Sequence, residues 1–318
     1  MKKALAIDIG GTKIYNTIVN ESGEIIAEIE KRSTPKTFDG IKEVLQEIVK
    51  LHEKDANVIA FATAGAVNNE NTGLIGSTGN IAEGYPNMDF LGLSEKKVFV
   101  ENDANAAAWA EHILGASKGC SDSIMLTLGT GVGGGIIVNN KLLKGKSGTA
   151  GEMHFKMYPD KRRYCTCGAY DCFEAYASGR GLMLTAQEIT KVPNVTTYDV
   201  IDEVKTVLDL TSSHEAEMTK TERLLLDRED KYIQSFLEWQ NHILIGCIGL
   251  ANLFDTEVIV LSGSMAEFVD VEYLEKELNK EIVATYTKVR HASAGNYSGM
   301  IGAALLAMEV GINKEVSC

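Results

Sequence analysis

The sequence predicts an α/β protein in which one unit of strands and helices occurs twice, with a cleft between the two halves. The first forty residues carry strand signals and then change to a helical pattern, and a similar order begins again at Ser123. In each half a glycine-rich turn follows an apolar strand and leads into another strand, which is the third indication of a duplication. Residues 151–253 enlarge the second half.

The first half opens as a β-meander. Residues 4–9 are apolar, residues 13–19 mix β-branched and aromatic side chains, and residues 25–29 follow a polar turn. From Ile41 to His52 apolar side chains recur every three or four residues, which predicts an amphipathic helix. The remaining predicted elements of this half are strands at residues 58–62 and 98–100 and an alanine-rich helix at residues 104–114.

The second half repeats the order of strand, glycine-rich turn and strand. Its predicted strands are residues 124–128, 136–138, 141–143 and 258–261. Its predicted helices are residues 230–253, 273–283 and 302–308.

The composition limits the classes of function. The chain of 318 residues has 31 Lys plus Arg against 44 Asp plus Glu, and its net charge of −13 would repel nucleic acid and anionic membrane surfaces. Its apolar runs are shorter than the roughly 18 to 20 residues that a membrane helix needs, and Asp8 ends the first run too early for a secretory signal. We therefore expect a cytoplasmic protein without a nucleic-acid or membrane partner.

Two glycine-rich turns predict the binding of an anion. Residues 10–12 and the turn within residues 129–135 each lie between strands, so neither is the helix-starting loop of a dinucleotide fold or a Walker motif. Consecutive backbone N–H groups in such turns, with the Thr12 and Thr130 hydroxyls, can hold phosphate. The alternative is a pair of ordinary hairpin turns whose glycines supply positive φ angles.

Asp103 lies where an apolar strand gives way to a helix. Its carboxylate could cap the free N–H groups of that helix, as Asn102 and Asn105 also could. The ends of strands in α/β sheets are also where ligands bind, and a carboxylate there can accept a proton from a substrate hydroxyl. The position alone leaves both roles open.

Three of the six cysteines, Cys165, Cys167 and Cys172, lie within eight residues of one another. In a reducing compartment such a cluster favours a metal over a disulfide. Tetrahedral Zn²⁺ takes four ligands, and His154 is the simplest fourth, which would give a closed structural site. The alternative is three free thiols in a loop.

These motifs together resemble the signatures of the ROK family of sugar kinases. The segments that carry the resemblance are residues 8–13 (DIGGTK), 101–105 (ENDAN), 128–135 (LGTGVGGG) and 165–174 (CTCGAYDCFE). The resemblance runs from about residue 4 to the end of the chain and implies a duplicated ribonuclease H-like fold, also called the actin-like ATPase fold, with ATP in the cleft between two lobes. The expected lobes are residues 1–116, against which a C-terminal helix at 301–318 packs, and residues 117–300, which carry the zinc-binding and helical insertions.

The resemblance also implies the roles of the site residues. Asp103 is the implied general base for the 6-hydroxyl of a hexose or N-acetylhexosamine, with Mg²⁺ accompanying ATP and a structural Zn²⁺ on the ligand set above. The residues implied in ATP and phosphate binding are Asp8, Gly10, Gly11, Thr12, Lys13, Gly129, Thr130, Gly131, Gly133 and Gly263. The residues implied in sugar binding are Gly65, Asn80, Asn102, Asp103, Glu152 and Glu174.

The sequence departs from the family pattern at three places. Glu152 and His154 are two residues apart where the family has them three apart, so a helix would point them about 200° from each other. In an extended segment they would lie on the same side. The turn at residues 262–264 has one glycine where the family usually has two or more, and the loop at residues 63–67 lacks the usual proline.

Three classes of function follow from the resemblance. The first is a sugar kinase, for which the resemblance implies a homodimer because similar kinases are often dimers. The second is a sugar-responsive repressor, but the first phosphate motif begins at Asp8, which leaves no room for a DNA-reading module of roughly 60 residues before it. The third is a sugar-binding protein without turnover.

Overall fold

The computed structural model describes residues 1–76, 81–160, 162–211 and 218–310. The described strands are β1 (Lys3–Ile9), β2 (Lys13–Asn20), β3 (Glu30–Ser33), β4 (Val58–Thr63), β5 (Lys97–Asn102), β6 (Ser123–Leu128), β7 (Val132–Val138), β8 (Lys141–Leu142), β9 (Val258–Ser262) and β10 (Lys288–His291). The described helices are α1 (Phe38–His52), α2 (Asp103–Ile113), α3 (Glu174–Ala177), α4 (Gly179–Thr190), α5 (Thr197–Thr211), α6 (Lys220–Leu224), α7 (Lys231–Phe254), α8 (Val271–Glu281) and α9 (Ser298–Ala307). None of these helices combines the length and the hydropathy that crossing a bilayer requires.

Two five-stranded sheets repeat one topology. The first has the order β3-β2-β1-β4-β5, and the second has the matching order β8-β7-β6-β9-β10. In the first sheet β1, β2 and β3 are antiparallel neighbours, whereas β1, β4 and β5 run parallel. The second sheet likewise pairs β7 with β8 antiparallel and β9 with β10 parallel. The predicted duplicated α/β fold is therefore confirmed.

The chain divides into two compact units. One contains Met1–Ser123, Gly135–Gly151 and Ala292–Cys318, and the other contains Ile124–Gly134 and Glu152–His291.

In the first unit the core covers both faces of the first sheet. Alternate side chains of β1 point to opposite faces, so that Leu5 and Ile7 pack with apolar residues of α1 while Ala4 and Ala6 pack with α9. Small residues let α9 approach α2 closely. A Cβ at Gly302 would lie 1.7 Å from the carbonyl oxygen of Ala106, so glycine is required there. The small-residue composition of the C-terminal helix thus reflects close packing.

The predicted strand at residues 25–29 is wrong. Gly23 turns the chain with a φ of 80°, and Ile25 makes a single bridge to Val19 before the backbone becomes irregular. The third strand is β3, a half-exposed edge strand in which three of the four residues are charged. Charged residues are typical of an edge strand, because they discourage pairing with another chain. The apolar pattern at residues 25–29 therefore marked loop side chains that pack against the core, with Ile25 and Ile29 among them.

The second glycine-rich turn is shorter than predicted, because β7 begins at Val132 and contains the glycines that follow it. Gly135 lies in this strand where α2 packs against it. A Cβ at Gly135 would lie 2.5 Å from the Cβ of Ala108. Gly135 thus permits α2 to pack closely against β7, and the turn itself is limited to residues 129–131.

Candidate active site

The carboxyl ends of three parallel strands meet at one edge of the first sheet. The register places Ile9 beside Thr63, and Thr63 beside Asn102. Asp8 and Asp103 are each one residue from this row, so the sheet brings two acidic side chains to the same edge. Ligands bind at such edges in open α/β sheets.

Asn102, and not Asp103, is the cap of α2. The Asn102 side chain accepts hydrogen bonds from the N–H groups of Ala104 and Asn105 at 2.9 and 3.0 Å. Asp103 is the first residue of the helix, and its exposed carboxylate accepts one hydrogen bond, from Ala104 N–H at 2.9 Å. The two roles left open by the sequence are thus divided between neighbours, and the Asp103 carboxylate can accept further donors.

The pKa values of both carboxyl groups are raised. Burial and the charge of Asp103 raise the pKa of Asp8 to about 7. Asp103 is exposed at the surface, but protein surrounds its carboxylate on most sides. The resulting loss of hydration raises the pKa of Asp103, and the hydrogen bond from Ala104 N–H lowers it by less. At neutral pH Asp8 is therefore only partly ionised, and both groups are stronger proton acceptors than ordinary aspartates.

A buried hydroxyl pair not expected from the sequence lies near these carboxyls. Thr63 Oγ1 and the Tyr85 hydroxyl are 2.8 Å apart, and both side chains are fully buried. Burial raises the pKa of Tyr85, and the charges of Asp8 and Asp103 add to that increase. Thr63 ends a fully buried strand, which is a weak sequence signal, whereas Tyr85 belongs to a loop that only the folded chain brings here.

We expect Asp8 to make stability depend on pH in an unusual direction. Its pKa is higher in the folded than in the unfolded chain, so the folded state is destabilised when Asp8 ionises. This loss of folding free energy is absent below about pH 4 and grows as pH rises to about 7. Asp8→Asn removes that loss. In urea denaturation of the ligand-free protein, the variant should match the wild type at pH 4 and exceed its free energy of unfolding by on the order of 2 kcal/mol at pH 8. Equal differences at both pH values would contradict the raised pKa.

The first glycine-rich turn joins β1 to β2 and is held from the side by Thr34. Gly10 N–H donates to Lys13 C=O at 2.9 Å, Thr34 Oγ1 donates to Gly10 C=O at 2.7 Å, and Thr34 N–H donates to Thr12 C=O at 3.0 Å. Gly10 does not have a positive φ. The alternative of a glycine chosen for its backbone angle therefore does not apply to Gly10.

The second turn joins β6 to β7 in the other unit. Gly129 and Gly131 also lack a positive φ, and a Cβ at Gly129 would meet open space. Two N–H groups are used within the hairpin, because Gly129 donates to Gly131 C=O at 3.0 Å and Gly133 donates to Thr127 Oγ1 at 3.0 Å. Gly129 C=O accepts from Gly179 N–H at the start of α4, at 2.8 Å. Thr130 lies at the centre of this turn.

Gly263 lies against the end of β6. It has a φ of 91°, and a Cβ there would lie 2.4 Å from Leu128 C=O. The same carbonyl accepts from Met265 N–H at 2.9 Å. The single glycine of this turn is thus the one that the backbone requires, both for its angle and for the close approach.

The cysteine cluster and His154 form one compact group. The ligand atoms of His154, Cys165, Cys167 and Cys172 all lie within 4.8 Å of one another. Cys165 Sγ is 3.7 Å from His154 Nδ1, and Cys167 Sγ is 3.5 Å from Cys172 Sγ. Three thiolates and one imidazole are the donor set of a structural zinc site, and their convergence from two segments fits Zn²⁺.

The altered spacing of Glu152 and His154 is accommodated by an irregular segment outside any helix or strand. Burial alternates along it, with Glu152 exposed, Met153 buried and His154 half-buried. Glu152 and His154 therefore lie on one side, and Glu152 Oε2 is 3.6 Å from His154 Nε2. His154 thus faces the cysteines through Nδ1 and Glu152 through Nε2, which is the arrangement of a metal-bound histidine with a carboxylate behind it.

Glu174 connects the second glycine-rich turn to the cysteine cluster. Its Oε2 accepts from Val132 N–H at 3.1 Å, whereas Oε1 accepts from the Thr166 hydroxyl and from the Cys165 thiol. The side chain is buried. Thr166 was not predicted as a site residue, although its place between two cysteine ligands could have suggested one.

The remaining predicted site residues belong to the sugar side, which has Gly65 and Asn80, and to the phosphate side, which has Lys13. Gly65, with a φ of 100°, uses its carbonyl oxygen to accept from Asn102 Nδ2 at 3.1 Å, so these two residues are adjacent. Lys13 is exposed at the start of β2, beside Gly11 and Thr12 in the first turn. Asn80 lies outside the described residues.

The chain is similar to known proteins over nearly its whole length. The model of the ROK family matches residues 4–310. The chain is 33% identical to a glucokinase of Streptomyces coelicolor, covering 97% of this chain and 98% of that protein. It is 31% identical to an N-acetylmannosamine kinase of Yersinia pseudotuberculosis, covering 96% and 99% of the two chains. The crystal structure of a ROK family glucokinase from Streptomyces griseus, in complex with glucose and AMPPNP, matches with a TM-score of 0.72 at 31% identity and covers 96% of this chain and 99% of that one. The two repeated sheets, the paired glycine turns and the Cys-His cluster are thus features of a chain that belongs to the ROK family.

Proposed function

We propose that this chain is an ATP- and Mg²⁺-dependent kinase that phosphorylates a hexose or an N-acetylhexosamine at the 6-hydroxyl. The observation that carries the proposal is the position of Asp103. Its carboxylate is exposed at the sheet edge, and its capping role is taken by Asn102. The relatives named as glucokinase and N-acetylmannosamine kinase support the class of substrate.

Asp103 acts as the general base. Phosphoryl transfer passes through a loose transition state, so most of the catalysis is alignment and charge stabilisation, and the base orients and deprotonates the attacking hydroxyl. A raised pKa suits this role, because a more basic carboxylate takes up a proton more readily. Asn102 and Gly65, joined by a hydrogen bond, flank the base on the sugar side.

The phosphates are held by the two glycine-rich turns. In the first turn Gly10 N–H already donates to Lys13 C=O, so the contacts come from Gly11, Thr12 and Lys13. In the second, Gly129 and Gly133 already donate their N–H groups within the hairpin, so the remaining N–H groups of Thr130 and Gly131 are the better candidates. Gly263 lies on the adenosine side.

Asp8 is the residue expected to hold Mg²⁺. A carboxyl with a pKa of about 7 beside a second carboxylate fits a divalent cation, because the cation would favour the ionised form of both. When bound, Mg²⁺ neutralises charge that develops on the transferred phosphoryl group.

Zn²⁺ has a structural role in this proposal. A Cys3His set leaves no open coordination position, so the ion would fix the segments that carry Glu152 and Glu174. Of these two proposed sugar ligands, Glu152 is the more exposed, whereas Glu174 already accepts hydrogen bonds from Val132 and Thr166.

A coupled ADP-release assay over a panel of hexoses and N-acetylhexosamines tests the proposal. At least one sugar should stimulate ADP release, and its 6-deoxy analogue, which lacks the accepting hydroxyl, should not. Proton–phosphorus correlation spectroscopy of the product then identifies the phosphorylated carbon. Saturable sugar binding without stimulated ADP release would favour the sugar-binding protein without turnover or the regulator, and a product phosphorylated elsewhere would overturn the 6-hydroxyl assignment.

A further inference from the structure

A buried carboxylate lies directly behind the proposed sugar-binding residues. Glu101 is the penultimate residue of β5, and only 1% of its surface is exposed. Its Oε1 accepts from Asn102 N–H at 3.0 Å and from Asn105 Nδ2 at 3.2 Å. Its Oε2 accepts from Asn71 Nδ2 at 2.7 Å and from Lys144 Nζ at 3.0 Å. Four donors therefore occupy the approximately four acceptor positions of this carboxylate.

Lys144 supplies the positive charge of this group from a distant part of the chain. It follows β8, and its side chain is 16% exposed. Besides Glu101, its ammonium group donates to Asn68 C=O at 3.1 Å. Lys144 is thus a half-buried cation that joins β5 to residues 67–76, which form a hairpin closed by a bridge between Val67 and Leu74.

The 67–76 hairpin covers the free edge of β5 through Asn71. Asn71 C=O accepts from Val100 N–H at 2.9 Å, and Asn71 Nδ2 donates to Val100 C=O at 2.7 Å. Asn71 has a φ of 58°, a left-handed conformation that asparagine tolerates better than most residues. One residue therefore replaces a neighbouring strand and at the same time reaches Glu101.

The loop that carries Lys144 packs on the same hairpin. Asn69 Nδ2 donates to the carbonyl oxygens of Gly145 and Lys146 at 3.1 and 2.8 Å. A Cβ at Gly148 would lie 1.9 Å from Val67 C=O, so this contact requires glycine. The loop, the hairpin and the end of β5 form one packed group with the Lys144–Glu101 ion pair inside it.

We propose that Lys144 and Glu101 are positioning residues for the sugar side of the site, an inference that rests on the proposed kinase function. Glu101 orients the backbone N–H of Asn102, and Asn102 in turn caps α2 and binds Gly65 C=O. Lys144 balances the charge of Glu101. Without that balance a buried unpaired carboxylate would attract water or protons, and the hairpin would separate from β5. Asn102, Gly65 and Asp103 would then lose their relative positions.

A positioning role and a merely structural role differ in their effect on the Michaelis constants. Lost folding would reduce the amount of active enzyme and leave both KM values unchanged. Loss of positioning raises the KM for sugar, because Asn102 and Gly65 are on the sugar side. The KM for ATP stays near its original value, because the first glycine-rich turn is held by Thr34 and not by this ion pair.

The experiment compares Lys144→Met, which removes the charge at similar length, with Lys144→Arg, which keeps it. Lys146→Met is the matched control, because Lys146 is an exposed lysine of the same loop. We expect Lys144→Met to raise the sugar KM about tenfold and the ATP KM less than twofold, whereas Lys144→Arg and Lys146→Met should stay within about threefold of wild type for both.

The double variant Glu101→Gln, Lys144→Met keeps the test decisive if Lys144→Met does not fold. A neutral amide at residue 101 needs no balancing cation but accepts hydrogen bonds on one atom only, so the double variant should fold and have a sugar KM between those of Lys144→Met and wild type. The inference would be overturned by an unchanged sugar KM in Lys144→Met or by an equal rise of both KM values. It would also be overturned by a double variant that does not fold or whose sugar KM is no lower than that of Lys144→Met.

Calorimetric measurement of sugar affinity separates this inference from the proposed function. A wild type that binds sugar but does not release ADP would overturn the kinase proposal. The sugar dissociation constant of Lys144→Met would still report on positioning, with a rise of about tenfold expected and no change counting against it.

Discussion

Asp103→Asn is expected to lower kcat by about 10² to 10⁴, the typical contribution of a general base. Asparagine has nearly the same shape, so it can still accept the hydrogen bond from Ala104 N–H, but it cannot take a proton from a sugar hydroxyl. Because Asn102 carries the cap of α2, the substitution should leave the helix intact. Steady-state kinetics and sugar binding by calorimetry check the result, and the sugar dissociation constant should change less than about threefold.

The matched control for this variant is Asp39→Asn. Asp39 is also an exposed aspartate in the first turn of a helix, α1, whose cap is the neighbouring Thr37. The side chain of Asp39 is exposed and is not one of the proposed site residues, so the kcat of Asp39→Asn should equal that of the wild type. Near-normal turnover in Asp103→Asn would remove the base from the proposed mechanism, and an equal loss in the control would indicate a general effect of neutralising helix-terminal charge.

Removal of one cluster ligand by Cys165→Ala should abolish zinc binding and loosen the segments that the cluster joins. Binding of a structural zinc contributes directly to folding, so its loss destabilises the part of the chain that carries the ligands. We expect about one zinc per wild-type chain and close to none in the variant, with a melting temperature lower by about 10 °C. Plasma emission analysis of protein purified without chelator and thermal denaturation measure the two effects.

Cys247→Ala is the control for loss of a buried thiol. Cys247 lies within α7, is fully buried and does not belong to the cluster. Its replacement should leave the zinc content at the wild-type level, with only the small stability loss of a lost sulfur atom. A wild type that is folded and free of zinc would contradict the metal site, and the cluster would then be a group of free thiols.

Chelation offers a second measure of the same site. Wild-type protein treated with a chelator should have the lowered melting temperature of Cys165→Ala, because both lack the ion that joins His154 to the cysteines. Glu174 lies next to Cys165 and accepts from Val132 N–H, so loss of zinc should also weaken the second glycine-rich turn. A rise in the ATP KM, measured after the chelator has been removed and with Mg²⁺ in excess, would report this connection.

Local patterns predicted most of the secondary structure, because the periodicity of apolar residues and the placement of turn residues reflect short-range sterics. The strands β1, β2, β4 and β6 and the helix α7 were all predicted to within a few residues. The error at β3 has the opposite origin. A charged edge strand has no apolar face to reveal it, and the nearby apolar residues 25–29 pack on the core from a loop.

The spacing of Glu152 and His154 shows where a local rule depends on its context. The same two-residue spacing separates the side chains in a helix and aligns them in an extended segment. The irregular backbone around Met153 selects the second arrangement. That selection comes from packing of Met153 and from the cysteine segment, which lies beyond the reach of a short sequence window.

The chemistry-bearing motifs could be read from the chain alone, because each is a short run whose residue types and spacing already imply the chemistry. The glycine-rich turns, the cysteine cluster and the acidic residue before α2 are of this kind. Their partners became visible only in the folded chain. Tyr85 reaches Thr63, Lys144 reaches Glu101, and Asn102 takes the cap that frees Asp103. The first two contacts join residues 22 and 43 positions apart, and such long-range packing leaves no local signature in a sequence. The cap is local, but the sequence offered three candidates for it and the folded backbone selects Asn102.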